Sequence, residues 1–159
     1  MKIKNIVAVF VGILVLVGSF TLGSRLFKGT DSQKPQVENK QKAVVYKSPT
    51  CGCCVGFVAY LRDLDYKVEI VTTNDTAIKS ENNIPTAMQS CHTSIIGDYF
   101  VEGHMPIEAI NKLLADKPDI DGIALPGMPS GSPGMPGIKT EEWEIFAIKD
   151  GEISSFLKI

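Results

Sequence analysis

Three kinds of hydrophobic spacing divide the chain. Residues 6–24 are uncharged and mostly apolar without a break, with Lys2 and Lys4 before them and Arg25 and Lys28 after. A run of about 19 residues is just long enough to cross a bilayer as a helix. Residues 29–42 (GTDSQKPQVENKQK) are polar, contain Pro35 and have no apolar period, which predicts a flexible linker. From Ala43 onward the apolar positions follow the periods of a folded domain. Residues 43–46 form a short buried strand that Ser48-Pro49-Thr50 breaks. Cys54, Phe57, Val58, Leu61 and Leu64 share one helical face, and Val68 and Ile70 alternate within a strand over 67–72. Strand, cysteine-rich turn, helix and strand together make a βαβ unit.

The second half of the domain is more interrupted. Asp75 is placed to cap a short helix over 76–81. Residues 94–96 and 99–101 are strands joined at Gly97-Asp98, a hairpin signal. Pro106 suits the first position of a helix carrying Ile107, Ile110, Leu113 and Leu114, and Pro118 ends it. Residues 119–140 are rich in Gly and Pro, and Pro126-Gly127-Met128-Pro129 is echoed by Pro133-Gly134-Met135-Pro136. A last hairpin pairs 143–148 with 153–157 and turns at Asp150-Gly151. The reading is one domain with an attachment: residues 1–28 a transmembrane anchor or signal segment, 29–42 the linker, 43–159 the folded domain.

Composition changes this picture in two ways. The chain is 44% hydrophobic and 21% charged with a net charge of −2, and it has no basic run, which excludes nucleic acid as the expected partner. The apolar run exceeds the 7–15 residues or so of a signal-peptide core and has no clean small-x-small cleavage site, so an uncleaved single-pass anchor is favoured over a cleaved secreted or periplasmic form. Either way the domain is expected to face an extracytoplasmic compartment, at the cell membrane if the anchor persists.

The chain has four cysteines, in a compartment that permits disulfides. Cys51 and Cys54 form a C-x-x-C pair at a strand-to-helix junction, the sequence context of a thioredoxin-like redox motif. Unpaired N–H groups at a helix start favour a thiolate, so the Cys51 pKa is expected to be lowered. Cys53 adds a third sulfur at the same point. A dithiol enzyme needs two thiols; three or four suit a soft ion such as Cu(I) or Zn. One compact triple plus a Cys91-His92 dipeptide departs from the paired spacing of zinc sites.

In a thioredoxin-like fold the βαβ unit is followed by a ββα unit, and the segment before the hairpin faces the C-x-x-C turn. By this resemblance Cys91 faces Cys51, Cys53 and Cys54, and the loop holding His104 borders the same face. The motifs Cys51-Gly52-Cys53-Cys54, Ser90-Cys91-His92-Thr93, Glu102-Gly103-His104-Met105-Pro106, and Gly127-Met128-Pro129 with Gly131-Ser132-Pro133-Gly134-Met135 together resemble the thioredoxin-like, copper-resistance-associated family known as "domain of unknown function 411". The likeness spans roughly residues 43–157; Met105 and Pro136 stand where that family more often has an aliphatic and an acidic residue. It implies an α/β, thioredoxin-like fold with a C-terminal hairpin extension. It also implies a metal site of Cys51, Cys53, Cys54 and Cys91, with His104 as a further ligand.

The expected function is extracytoplasmic copper handling or resistance through Cu(I) held by these thiolates. Expected partners are the metal ion, the membrane through the N-terminal helix, and other copper-handling proteins. Against this stand a thiol–disulfide oxidoreductase, with Cys51 as nucleophile and Cys54 resolving, in which copper redox could be coupled, and a Zn-stabilised interaction module. Blander roles are two structural disulfides for the cysteines, a surface imidazole for His92, and a cap on the next helix for His104. Met128 and Met135 are either soft ligands or packing residues.

Overall fold

A computed structural model describes residues 41–74 and 76–159. The expected anchor and most of the linker lie outside these residues, as does the Asp75 cap. Among the described residues no helix is long and apolar enough to cross a membrane.

The domain is a mixed α/β sheet with helices against it. The order is β1 (Lys42–Lys47), α1 (Gly52–Asp63), β2 (Lys67–Thr72), α2 (Thr76–Glu81), β3 (His92–Ile96), β4 (Tyr99–Glu102), α3 (Ile107–Asp116), β5 (Gly122–Ala124), β6 (Glu144–Lys149) and β7 (Glu152–Lys158). The seven strands lie in the order β2-β1-β3-β4-β5-β6-β7. β1 and β2 run parallel, as a βαβ crossover requires, and β3 and β4 form the antiparallel hairpin. Lys47 at the end of β1 pairs with His92 at the start of β3, which brings the α1 turn and the Cys91 segment to one edge of the sheet.

Strand alternation sorts the core onto two faces. Ala43, Val45, Ile96, Val101 and Ile123 join Phe57 and Leu61 of α1 and Ile110 and Leu113 of α3 in the main cluster. Phe100, Ala124 and Ile148 point the other way and pack with Ile84, after α2. The C-terminal hairpin turns through Asp150 (φ 50°) and Gly151 (φ 82°), the two left-handed residues a tight hairpin wants.

Several details differ from the sequence expectation. α1 starts at Gly52 with Cys51 as its N-cap, and Leu64 is the C-cap at 40% exposure, because the helix ends before its apolar stripe does. Pro106 is the N-cap of α3, not its first residue, with an extended ψ of 149°. β5 has no counterpart in the sequence reading. It is three residues of a Gly-rich stretch, too short to show a period, and its Gly122 lies where any Cβ would collide with Phe100.

Candidate metal centre

The site is assembled by three segments. The first is the start of α1. Cys51 is its N-cap, and its sulfur accepts from Cys54 N at 3.3 Å, satisfying one of the free N–H groups of the first turn. Helix geometry then sets Cys54 inward, with no exposure, and leaves Cys53 half-buried. Cys51 and Cys54 are joined by a disulfide, while Cys53 and Cys91 are free thiols. The pairing of all four in structural disulfides therefore does not occur.

The second segment is the approach to β3. Cys91 Sγ stands at the hub of the site. It lies 3.6 Å from Cys53 Sγ, 3.6 Å from Cys54 Sγ, 3.3 Å from His92 Nδ1 and 3.2 Å from His104 Nε2. Cys51 and Cys53 sulfurs are 3.5 Å apart. All four sulfurs lie within 4.8 Å of one another, and Cys91, His92 and His104 form a second, overlapping donor group. Burial pushes the Cys91 thiol up to about 12, with the Cys53 thiol adding to the effect, so in the metal-free state Cys91 holds its proton.

The third segment is the loop between β4 and α3. His104 is fully buried, and its Nδ1–H donates to the Pro133 carbonyl at 2.7 Å. A carbonyl can only accept, so this bond fixes the tautomer and leaves the Nε2 lone pair facing Cys91. Burial lowers the His104 pKa, which keeps that lone pair unprotonated. His104 does not cap α3: its ring nitrogens face the Pro133 carbonyl and Cys91, and Ile107 N donates to the Tyr60 hydroxyl.

His92 does not take the surface position open to it in the sequence. It is fully buried, not a surface imidazole, and packs 4.5 Å from the Phe57 ring and 4.8 Å from the His104 ring. Burial, with His104 and Lys79 adding repulsion, lowers its pKa to about 3. Among the described residues its Nε2 has no hydrogen-bond partner. A Cys-His dipeptide at a strand start, with the histidine on the helix-facing side, was the available signal.

Next to the hub lies a polar cluster that joins Ser90, Thr93 and Glu102 of the sequence motifs to Lys79, which stands in none of them. Lys79 Nζ meets Glu102 Oε1 at 2.5 Å and Thr93 Oγ1 at 2.9 Å, and Thr93 donates to Glu102 Oε2 at 2.6 Å. Ser90 N also donates to Glu102 Oε1, at 2.5 Å. Glu102 is fully buried, and burial raises its pKa even beside Lys79. The carboxylate thus holds the backbone one residue before Cys91.

The Gly/Pro-rich stretch folds over the centre. Gly134 lies so close to α1 that a Cβ on it would collide with Phe57 N, and one on Gly56 would come within 2.9 Å of Gly134 Cα. With Pro133 on His104, this fixes the loop to the helix that carries three of the cysteines. Met128 is 40% exposed, with φ 47°, and so is no core filler.

Comparison with known proteins bears on this arrangement. The family model described as "Protein of unknown function, DUF411" matches residues 88–135. Two solved structures, titled "Copper resistance protein copG- Form 2" and "Form 1", are each 35% identical to the chain with a TM-score of 0.69. Each covers 76% of this chain, and the match takes in 99% and 98% of the two chains respectively. No curated protein matches significantly.

Proposed function

This chain belongs to the DUF411 copper-resistance family, and on that premise we propose that it binds Cu(I) outside the cytoplasm through Cys51, Cys53, Cys54 and Cys91, with His104 Nε2 as a further donor. One observation carries the reading: four sulfurs gathered within 4.8 Å of one another. Within the cluster Cys91 is not placed to displace Cys51 from Cys54: in-line attack would set those two sulfurs about 5.6 Å apart, and they lie within 4.8 Å. A compact four-sulfur cage suits a shared soft ion, or several bridged by thiolates, better than it suits exchange. Cu(I) is preferred to Zn on this thiolate set and on the copper-resistance titles of the similar structures. A thioredoxin-like origin of the fold is supported by the βαβ unit, the β3–β4 hairpin and α3 in that order. The membrane anchor and extracytoplasmic placement belong to the same proposal and rest on the apolar run over 6–24.

The Cys51–Cys54 disulfide supports a second reading, thiol–disulfide oxidoreduction, and joins the two. A thiol reductant supplying two electrons and two protons converts the bond into two thiols, and only then are four thiols present for metal. The test is a Cu(I) titration of the reduced full-length chain against a chromophoric chelator, beside Cys91→Ser. Tight uptake that weakens at least tenfold in the variant is the expected result. No uptake, together with capture of a mixed disulfide on Cys51 in Cys54→Ser, would move the function to the oxidoreductase.

A further inference from the structure

Lys47 is a buried cation that the metal reading does not use. It closes β1 at 7% exposure. Its Nζ donates to the Ser48 carbonyl at 2.8 Å, and the same carbonyl accepts from Cys51 N at 3.4 Å. The ammonium is therefore one carbonyl removed from the backbone of the α1 N-cap cysteine. On the neighbouring strand its direct partner is His92, and residues opposite each other in an antiparallel pair share a face with their Cβ atoms about 5 Å apart. His92 Nδ1 in turn touches Cys91 Sγ. Lys47 is thus bracketed by both cysteine-bearing segments.

Among the described residues Lys47 has no carboxylate partner; every ion pair there uses another cation. A buried ammonium is costly unless an anion meets it. With Cys51 and Cys54 in a disulfide, only Cys53 and Cys91 remain as thiols, so the centre can carry at most two thiolate charges. Reduced and loaded, it supplies much more. Four thiolates carry four negative charges and each Cu(I) returns one, so a site with fewer than four ions is anionic.

We propose that Lys47 is the fixed counter-charge of the thiolate centre, a residue that does not ligate the metal but makes the reduced, metal-loaded state favourable. The copper part of this rests on the function proposed above; the thiolate part does not. The full-length chain and the variants Lys47→Gln and Lys47→Arg separate the two. Gln keeps a donor for the Ser48 carbonyl and loses the charge; Arg keeps the charge. Two quantities are read: Cu(I) affinity by chelator competition, and the Cys51–Cys54 thiol–disulfide equilibrium in a metal-free glutathione buffer. Lys47→Gln is expected to weaken Cu(I) binding about tenfold and to shift the metal-free equilibrium several-fold toward the disulfide, with Lys47→Arg close to the parent in both. A Gln variant equal to the parent in both, or an Arg variant as impaired as Gln, overturns the counter-charge. Absence of Cu(I) uptake by the parent overturns the copper function alone. The redox shift then still decides whether Lys47 serves the thiolates.

Discussion

At the residue scale, His92 and Glu102 show what the centre demands of side chains that hold no charge-bearing ligand role of their own. His92 is kept neutral by burial, with a pKa of about 3 in the folded chain. Unfolding returns it to the usual value near 6.5. The unfolded chain therefore binds one more proton than the folded one between these values, and stability is lost as pH falls through that window. Metal-free protein is expected to lose about 1.4 kcal/mol per pH unit below about 6.5 from this residue. Urea midpoints between pH 7 and pH 4, with His92→Gln as the control with a flatter profile, would check it. Glu102 is tested differently. Removing it takes the carboxylate away from the buried Lys79 ammonium, the Thr93 hydroxyl and Ser90 N at once. Glu102→Ala is expected to cost about 3 kcal/mol, read by chemical denaturation. A loss below 1 kcal/mol would mean the cluster is better hydrated than its burial implies. Cys91 alkylation in the oxidised protein should also quicken, since Glu102 fixes the backbone before it. The Cys91-His92 dipeptide pointed to His92, but nothing local in the sequence said that His92 or Glu102 would be buried. A buried histidine and a buried Lys-Glu pair look like surface residues until the strand register turns them inward.

At the element scale, the α1 start and the Gly/Pro loop act as one piece. Gly134 sits at φ 82° against the α1 backbone, where no side chain fits. Gly134→Ala is expected to lift the loop, at about 2 kcal/mol of stability, and to open residues 126–137 to limited proteolysis. An unchanged digestion pattern would show that Pro133 on His104 suffices to hold it. The helices and hairpins were legible because each had its own local signal. α1 had an apolar stripe, β3–β4 had Gly97-Asp98, and β6–β7 had Asp150-Gly151. β5 and the loop docking were not legible. β5 exists because β4 and β6 pair with it from either side, and the loop is placed by a backbone contact between Gly56 and Gly134. Such long-range contacts leave only glycines in the sequence, and glycines alone do not say what they touch. The cysteine cluster falls between these cases. The Cys51–Cys54 turn is local, whereas Cys91 reaches it only through the antiparallel pairing of β1 with β3.

At the scale of the whole molecule, the sheet joins two halves of the site that no single element contains. The βαβ half brings Cys51, Cys53 and Cys54, and the hairpin half brings Cys91, His92 and His104. A metal held across that seam ties the halves together in the folded state only, so binding energy becomes folding energy. The oxidised and reduced forms differ in how many donors they can offer. With Cys51 and Cys54 in a disulfide, the free thiols are Cys53 and Cys91, 3.6 Å apart. Reduction makes the set four. Cu(I) held at a hundred times its dissociation constant should stabilise the reduced chain by about 2.7 kcal/mol, a rise in melting temperature of about 10 °C for a domain of this size. The oxidised chain should gain far less, because a two-thiol site forfeits Cys51 and Cys54. Thermal unfolding of both forms with and without Cu(I), with mass mapping of alkylated cysteines, distinguishes the outcomes. Equal stabilisation of both forms would place the metal on Cys53, Cys91 and the histidines alone, and the disulfide would then be structural. Stabilisation confined to the reduced form, with all four cysteines protected from alkylation, would make reduction of Cys51–Cys54 the step that opens the site to copper.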